Sequence, residues 1–255
     1  MPKSVAILGS GNMAFQLLSA FDKASVSLSG LISRDLGQGA STLEATSAKC
    51  ELVGGRDVSD LETDLIILAV PDDAIAEVLR FYQFNSHHIL IHTSGAASID
   101  VIHHERAGVF YPLQTLTWGE SVDFSSIPVL IEGSSLSVEE SLIDLAQAVS
   151  NTVQVISSEN RLKLHVAAVL VSNFTNHLYH RAEKWLAESE LSLSLLQPLI
   201  DETNRKAKEL GAEKAQTGPA KRGDEKTLAL HKEILEDDGL KELYHLISED
   251  IKNFK

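Results

Sequence analysis

The stretch VAILGSGNMA, Val5 to Ala14, opens as a strand and closes as a helix, with two glycines between them. Val5–Leu8 is apolar at consecutive positions, as a strand covered on both faces should be. Gly9 permits a tight turn, and Gly11 lets backbone approach a pyrophosphate. Ala14 is small enough for the helix to lie close against the strand, so the helix N-terminus faces the phosphates. The pattern is G-x-G-x-x-A in the strand–turn–helix setting that gives it meaning. Gly9, Ser10, Gly11, Asn12 and Met13 are therefore expected to contact a dinucleotide.

Working outward, short β-branched runs alternate with helix-like segments. Ser4–Leu8, Ser27–Ser33, Asp64–Val70, His88–Thr93, Val109–Tyr111, Pro128–Glu132 and Thr152–Ile156 read as strands. Met13–Phe21, Gly39–Ala48, Asp73–Phe81 and Val138–Val149 read as helices between them. This alternation predicts crossover units and a mainly parallel, Rossmann-type α/β sheet. From Ser158 onward the pattern is all-helical: Glu159–Glu188, Ser192–Leu210, a polar stretch over Gly211–Asp224, then Glu225–Leu235 and Gly239–Asn253. Two domains follow, residues 1–157 for the nucleotide and 158–255 helical.

The end of the second strand reads the cofactor's ribose. An NAD site usually carries a carboxylate there, about 20 residues past the glycines. This chain has Ser33-Arg34-Asp35. Ser33 can donate to a phosphate, Arg34 can pair with its charge, and Asp35 is one residue late and suits a helix cap. NADP(H) is therefore expected over NAD(H).

Composition removes other classes. Of 255 residues, 22 are Lys or Arg and 36 Asp or Glu, a net charge of −14. Such a chain repels nucleic acid and anionic lipid, so neither is expected as a partner. One cysteine, Cys50, leaves no disulfide framework and no multi-cysteine metal site. The start carries one early cation, Lys3, and an apolar run too short for a signal peptide or a membrane span. The expectation is a cytoplasmic protein. His87-His88 and His103-His104 are adjacent pairs that point to opposite faces of a strand, so no metal site is expected.

GSGNMA, SRD (33–35) and LAVPDDAI (68–75) together resemble the pyrroline-5-carboxylate reductase and 6-phosphogluconate dehydrogenase-like superfamily. HTSGA (92–96), YPLQTLT (111–117), HVAAVLVSNFTNHL (165–178) and GPAKRGDEKTLALH (218–231) resemble something narrower. That is a family of NADP-dependent oxidoreductases with a Rossmann-like domain and a helical C-terminal domain of unassigned function. The resemblance implies the fold, the cofactor and a homodimer packed through the helical domains. It names no substrate.

In open parallel sheets the ligand lies beyond the carboxyl ends of the strands. Val70-Pro71, Thr93-Ser94-Gly95 and Tyr111-Pro112-Leu113-Gln114 end three strands and should border one crevice. Val70, Pro71, Thr93, Ser94 and Gly95 are expected near the nicotinamide end, and Gln114 near a substrate. Asp72-Asp73 reads better as a helix N-cap, and Ser94 could equally cap a turn. His165 lies about 20° from Ser172 and about 80° from Asn173 on a continuous α-helix, and Arg161 and Asn176 extend that polar face. Related β-hydroxyacid dehydrogenases carry Lys and Asn at i, i+4 on the corresponding helix. Here the residue four before Asn173 is Val169, and Lys163 is ten before it. His165 is then the candidate proton donor, with Asn173 beside it and Ser172 toward substrate, or else a structural histidine. Arg222, after the Gly218-Pro219 turn, could bind a substrate carboxylate or phosphate, or sit in an ordinary loop. The expected activity is hydride transfer between a nicotinamide and a small C=O or C=N substrate. The alternative, kept open by the missing lysine, is an NADP(H)-binding regulatory or sensor protein without that chemistry.

Overall fold

The computed structural model describes residues 4–120 and 122–254; Lys3 lies outside them. Eight strands form one sheet: β1 (Val5–Leu8), β2 (Leu28–Ile32), β3 (Glu51–Val53), β4 (Leu65–Leu68), β5 (Ile89–His92), β6 (Ala107–Pro112), β7 (Val129–Gly133) and β8 (Val153–Val155). Their order is β3-β2-β1-β4-β5-β6-β7-β8. Every neighbouring pair is parallel except β6 with β7. The chain runs outward from β1 in one direction, then returns to its other side at β4. That reversal opens a crevice at the carboxyl ends of the strands.

The apolar strand runs work as the sequence predicts. Ile7, Leu31, Leu65, Ile67 and Ile91 enter one core layer with Leu17, Phe21 and Leu142. The alternate residues Ala6, Leu8, Ile32, Ile66 and Leu68 enter a second layer with Ile75 and Tyr82. A pleat that turns successive side chains to opposite faces needs both faces covered. Helices α1 (Asn12–Lys23), α2 (Leu36–Thr46), α3 (Ile75–Phe81) and α4 (Leu136–Val149) accompany the sheet. Asp35 caps α2, accepting from Gln38 N at 3.0 Å. Asp72 and Asp73 do not cap their helix. They lie inside a 3-10 turn, Asp72–Ala74, whose N-cap is Pro71. β3 is not among the strands expected from the sequence, because Glu51-Leu52-Val53 runs straight into Gly54-Gly55 and shows neither an alternation nor an apolar run.

The helix expected over 159–188 is interrupted. It divides into α5 (Ser158–Val169), a π-helical turn (Leu170–Phe174) and α6 (Thr175–Ala187). The chain forms two compact units, one ending at Ser172 and the other beginning at Asn173, so α5 groups with the sheet. The second unit holds α6, α7 (Gln197–Leu210), α8 (Ala212–Ala215), α9 (Pro219–Arg222), α10 (Glu225–Ile234) and α11 (Asp238–Asn253). The stretch 211–224 was expected as a plain connection and instead carries α8 and α9. Ala220, Leu228 and Leu235 are buried in this unit. Arg181 pairs with Asp237 at 2.5 Å, and His231 Nδ1 shares a hydrogen bond with Tyr244 Oη at 2.7 Å. Leu195, Leu199, Leu230 and Leu246 are more than half exposed.

Candidate functional site

At the end of β1, Gly9 has φ +125°, and a Cβ there would lie 2.2 Å from Ala69 O at the end of β4. Only glycine lets these two strand ends pass. Gly11 is the N-cap residue of α1, has no side chain to cap with, and no acidic residue follows in the first turn. A Cβ on Gly11 would meet nothing within 4 Å. The first amides of α1 therefore face open space, where they and the helix dipole favour an anion. Ala14 is fully buried against the strand, as close helix packing requires.

A cleft of about 320 Å³ opens here, lined among others by Ser10, Gly11, Ser33, Arg34, Val70 and Pro71. These residues fit a dinucleotide, with backbone for its phosphates and a cation at the far ribose. Ser33 is buried, and its hydroxyl donates to Asp35 O at 2.7 Å, so Arg34 is the free donor of this corner. Arg34 is exposed, with its nearest carboxylate, Glu77, at 3.8 Å. Asn12 and Met13 occupy the first turn of α1. The Asn12 side chain donates to Leu116 O at 3.2 Å, and Met13 packs on the core.

Beyond β5 lies a second group. His92 is paired with Val109, so Tyr111 on β6 overhangs the loop that follows β5. In that loop the Ser94 hydroxyl accepts from Ala96 N at 3.0 Å and Ala97 N at 2.8 Å, which is a turn cap. Thr93 is buried beside it. A Cβ on Gly95 would lie 2.5 Å from His165 Nδ1 and 2.7 Å from Tyr111 Cζ. Tyr111 Oη and His165 Nδ1 share a hydrogen bond at 3.0 Å. Burial raises the Tyr111 pKa, the charge of Asp72 adds to this and Arg161 opposes it, so the phenol stays protonated at neutral pH. Gln114 is exposed just past β6, its Oε1 accepting from Thr115 N at 2.9 Å.

Ser172 and Asn173 fall in the π-turn, where each residue advances the helix by less than 100°, so the phase expected relative to His165 does not carry through. Asn173 is exposed and Ser172 half-buried. Arg222 ends α9 in the second unit and is exposed. Sequence reading left Glu132 unmarked and placed Arg161 on a polar face; it is instead fully buried, on Glu132. The pairing of Tyr111 with His165 was not legible either, although YPLQTLT and HVAAVLVSNFTNHL carry the two residues. Nothing local in the sequence marks the pair, since 54 residues separate the two. Among the described residues no three His, Cys, Asp or Glu side chains converge as metal ligands, and no helix is long and apolar enough to cross a membrane.

His92 accepts from Ser94 N at Nδ1, at 3.1 Å, and its Nε2 lies 3.3 Å from Ser98 O. Burial, then the charge of Arg161, pushes its pKa down to about 4. Between that value and the ordinary 6.5 the unfolded chain binds a proton that the folded chain does not. Stability should therefore fall by up to about 3 kcal/mol as pH drops from 7 toward 4, and this contribution should level off below. Urea midpoints at pH 7 and pH 4.5 test this. A His92→Asn variant should show a shallower slope, and an unchanged slope would contradict the assignment.

Residues 4–95 match the family described as NADP oxidoreductase, coenzyme F420-dependent. Residues 127–251 match a domain of unknown function. A Bacteroides fragilis protein described as a candidate NADP oxidoreductase is 34% identical over 98% of each chain, with a TM-score of 0.87. A Thermotoga maritima protein is 20% identical over 98% of this chain and all of that one, with a TM-score of 0.76. A reductive aminase from Aspergillus terreus, in complex with NADPH and ethyl levulinate, is 13% identical over 100% of this chain and 95% of that one, with a TM-score of 0.70. The last two likenesses are of fold alone. No curated protein matches the chain.

Proposed function

Because this chain belongs to the NADP oxidoreductase family in which that N-terminal domain is joined to a C-terminal domain of unknown function, we propose that it uses NADP(H) to reduce or oxidise a small C=O or C=N substrate. The observation that carries this is the uncapped N-terminus of α1 beneath Gly9–Gly11, with a Tyr–His pair beyond the neighbouring strands of the same sheet edge. The backbone of Gly9, Ser10, Gly11, Asn12 and Met13 holds the phosphates. Arg34 takes the ribose phosphate, Ser33 shapes that corner through its bond to Asp35 O, and Val70, Pro71, Thr93, Ser94 and Gly95 shape the nicotinamide end. The bound nicotinamide supplies or accepts the hydride at the substrate carbon. His165 gives or takes the matching proton at the substrate oxygen or nitrogen, Tyr111 Oη fixes its ring, and Asn173 has a secondary positioning role. Gln114 and Ser172 are the proposed substrate contacts.

The test is NADPH consumption across a panel of small carbonyl compounds, with and without amines. A chain that binds NADPH and consumes it with no panel member would be a nucleotide sensor instead. Arg34→Ala should weaken NADPH by about tenfold, near the lower end of a charge-assisted contact of roughly 1.5–3 kcal/mol, because the side chain is exposed. NADH should be nearly unaffected, and equal losses for both cofactors in a titration would remove the 2′-phosphate assignment.

A homodimer belongs to the same reading. Leu195, Leu199, Leu230 and Leu246 of the second unit are left in water in one chain, and such apolar surface marks association. Light scattering at micromolar concentration should give twice the chain mass; a particle of 27.8 kDa would contradict it. A lone half-buried cysteine suits a reducing compartment, and we place the protein in the cytoplasm.

A further inference from the structure

We infer that Arg161 is a positioning residue for the Tyr111–His165 pair, tying the loop after β5 to α5 so that Gly95 seats against both rings. This rests on the functional reading for its catalytic meaning, though not for its geometry.

Arg161 is the one fully buried residue of α5, so beside the apolar contact of Leu164 with Val109, Tyr111 and Leu130 this helix docks on its unit through a guanidinium. Nη1 meets Glu132 Oε2 of β7 at 2.5 Å, while Nη2 donates to Ala97 O and to Ser158 Oγ. Ser158 joins the same knot. Its N and Oγ donate to the two Glu132 oxygens at 2.9 and 2.6 Å, and its Oγ accepts from Ile99 N at 3.0 Å. Arg161 and Ser158 thus together fasten β7, the first turn of α5 and both ends of the segment Ala97–Ile99, the cation holding Ala97 and the serine Ile99.

As a mere fastener the arrangement is uneconomical. Desolvating an ion pair often cancels its attraction, and apolar side chains of similar volume dock a helix as well or better. What the planar fork supplies is direction, since it fixes several acceptors at once. His165 lies four residues after Arg161, one turn along the same face. Gly95 lies two residues before Ala97, with no room for a methyl group against His165 Nδ1. Any slip of loop against helix is therefore felt first at the Tyr111–His165 hydrogen bond. His92, bridging Ser94 and Ser98 from below, braces the loop on its other side.

The experiment uses the full chain with ¹⁵N-labelled histidine, assigning the His165 ring nitrogens by their loss in His165→Gln. Tyr111→Phe gives the reference position for a broken bond. Arg161→Lys keeps the charge for Glu132 and cannot reach all the acceptors. It should keep cooperative melting and wild-type NADPH binding, while the His165 Nδ1 resonance moves toward the Tyr111→Phe position. On any substrate turned over, kcat should fall about tenfold with KM unchanged. Should Arg161→Lys fail to fold, Ser158→Ala cuts the tie to Ile99 while leaving the ion pair, and should move the resonance the same way by less. A folded Arg161→Lys or Ser158→Ala chain with lowered Tm but a wild-type His165 resonance would overturn the inference. The resonance is read without substrate, so a chain with no turnover at all would sink the functional reading and leave this test decisive.

Discussion

Replacing His165 by alanine should lower turnover by about 10²–10⁴, the range for loss of a general acid or base. The ring is half-buried, its Nδ1 is engaged by Tyr111, and Nε2 is left for a substrate. NADPH affinity should change little, because the phosphates are held by the turn after β1. Asn173→Ala should act more weakly. The two kinetic constants and a nucleotide titration separate these expectations. Full turnover in the His165→Ala chain would make the histidine structural and turn attention to Tyr111 Oη as the proton donor.

Gly9→Ala should be the most damaging single methyl group in the glycine turn. At φ +125° a side chain is strained by roughly 1–3 kcal/mol, and a contact of 2.2 Å with backbone at Ala69 adds roughly 1–3 more. For a chain of this size the sum corresponds to a Tm lower by roughly 5–20 °C. Gly11→Ala is the internal control, since its methyl group meets no protein atom within 4 Å. It should leave Tm nearly unchanged and still weaken NADPH severely by entering the space above the α1 amides. Thermal melts with and without NADPH distinguish the two. Gly11→Ala binding nucleotide as well as wild type would place the phosphates elsewhere.

The legible part of this protein was the part written locally. The stretch Val5–Ala14 carries strand, bend and helix in ten consecutive residues, and apolar runs such as Leu65–Leu68 betray strands with both faces covered. The cap at Asp35 could also be read, since its partner is three residues away. What escaped depends on distance or on exceptions to period. Glu132 and Arg161 are 29 residues apart, and Tyr111 and His165 are 54 apart. Charge or ring alone does not announce such a partner. The π-turn at Leu170–Phe174 escaped because HVAAVLVSNFTNHL contains no glycine or proline to mark a break in the helix. Asp72 and Asp73 look like caps by residue type, yet Pro71 takes that place.

Both outermost strands of the sheet, β3 and β8, are only three residues long. A strand with an open side offers unpaired amides and carbonyls to other chains, and a long one is a template for edge-to-edge aggregation. Here each open side spans only about 10 Å, too little to hold a foreign strand in register. Concentrated or partly heated protein should therefore cluster through its helical leucines and resist growth into cross-β fibres.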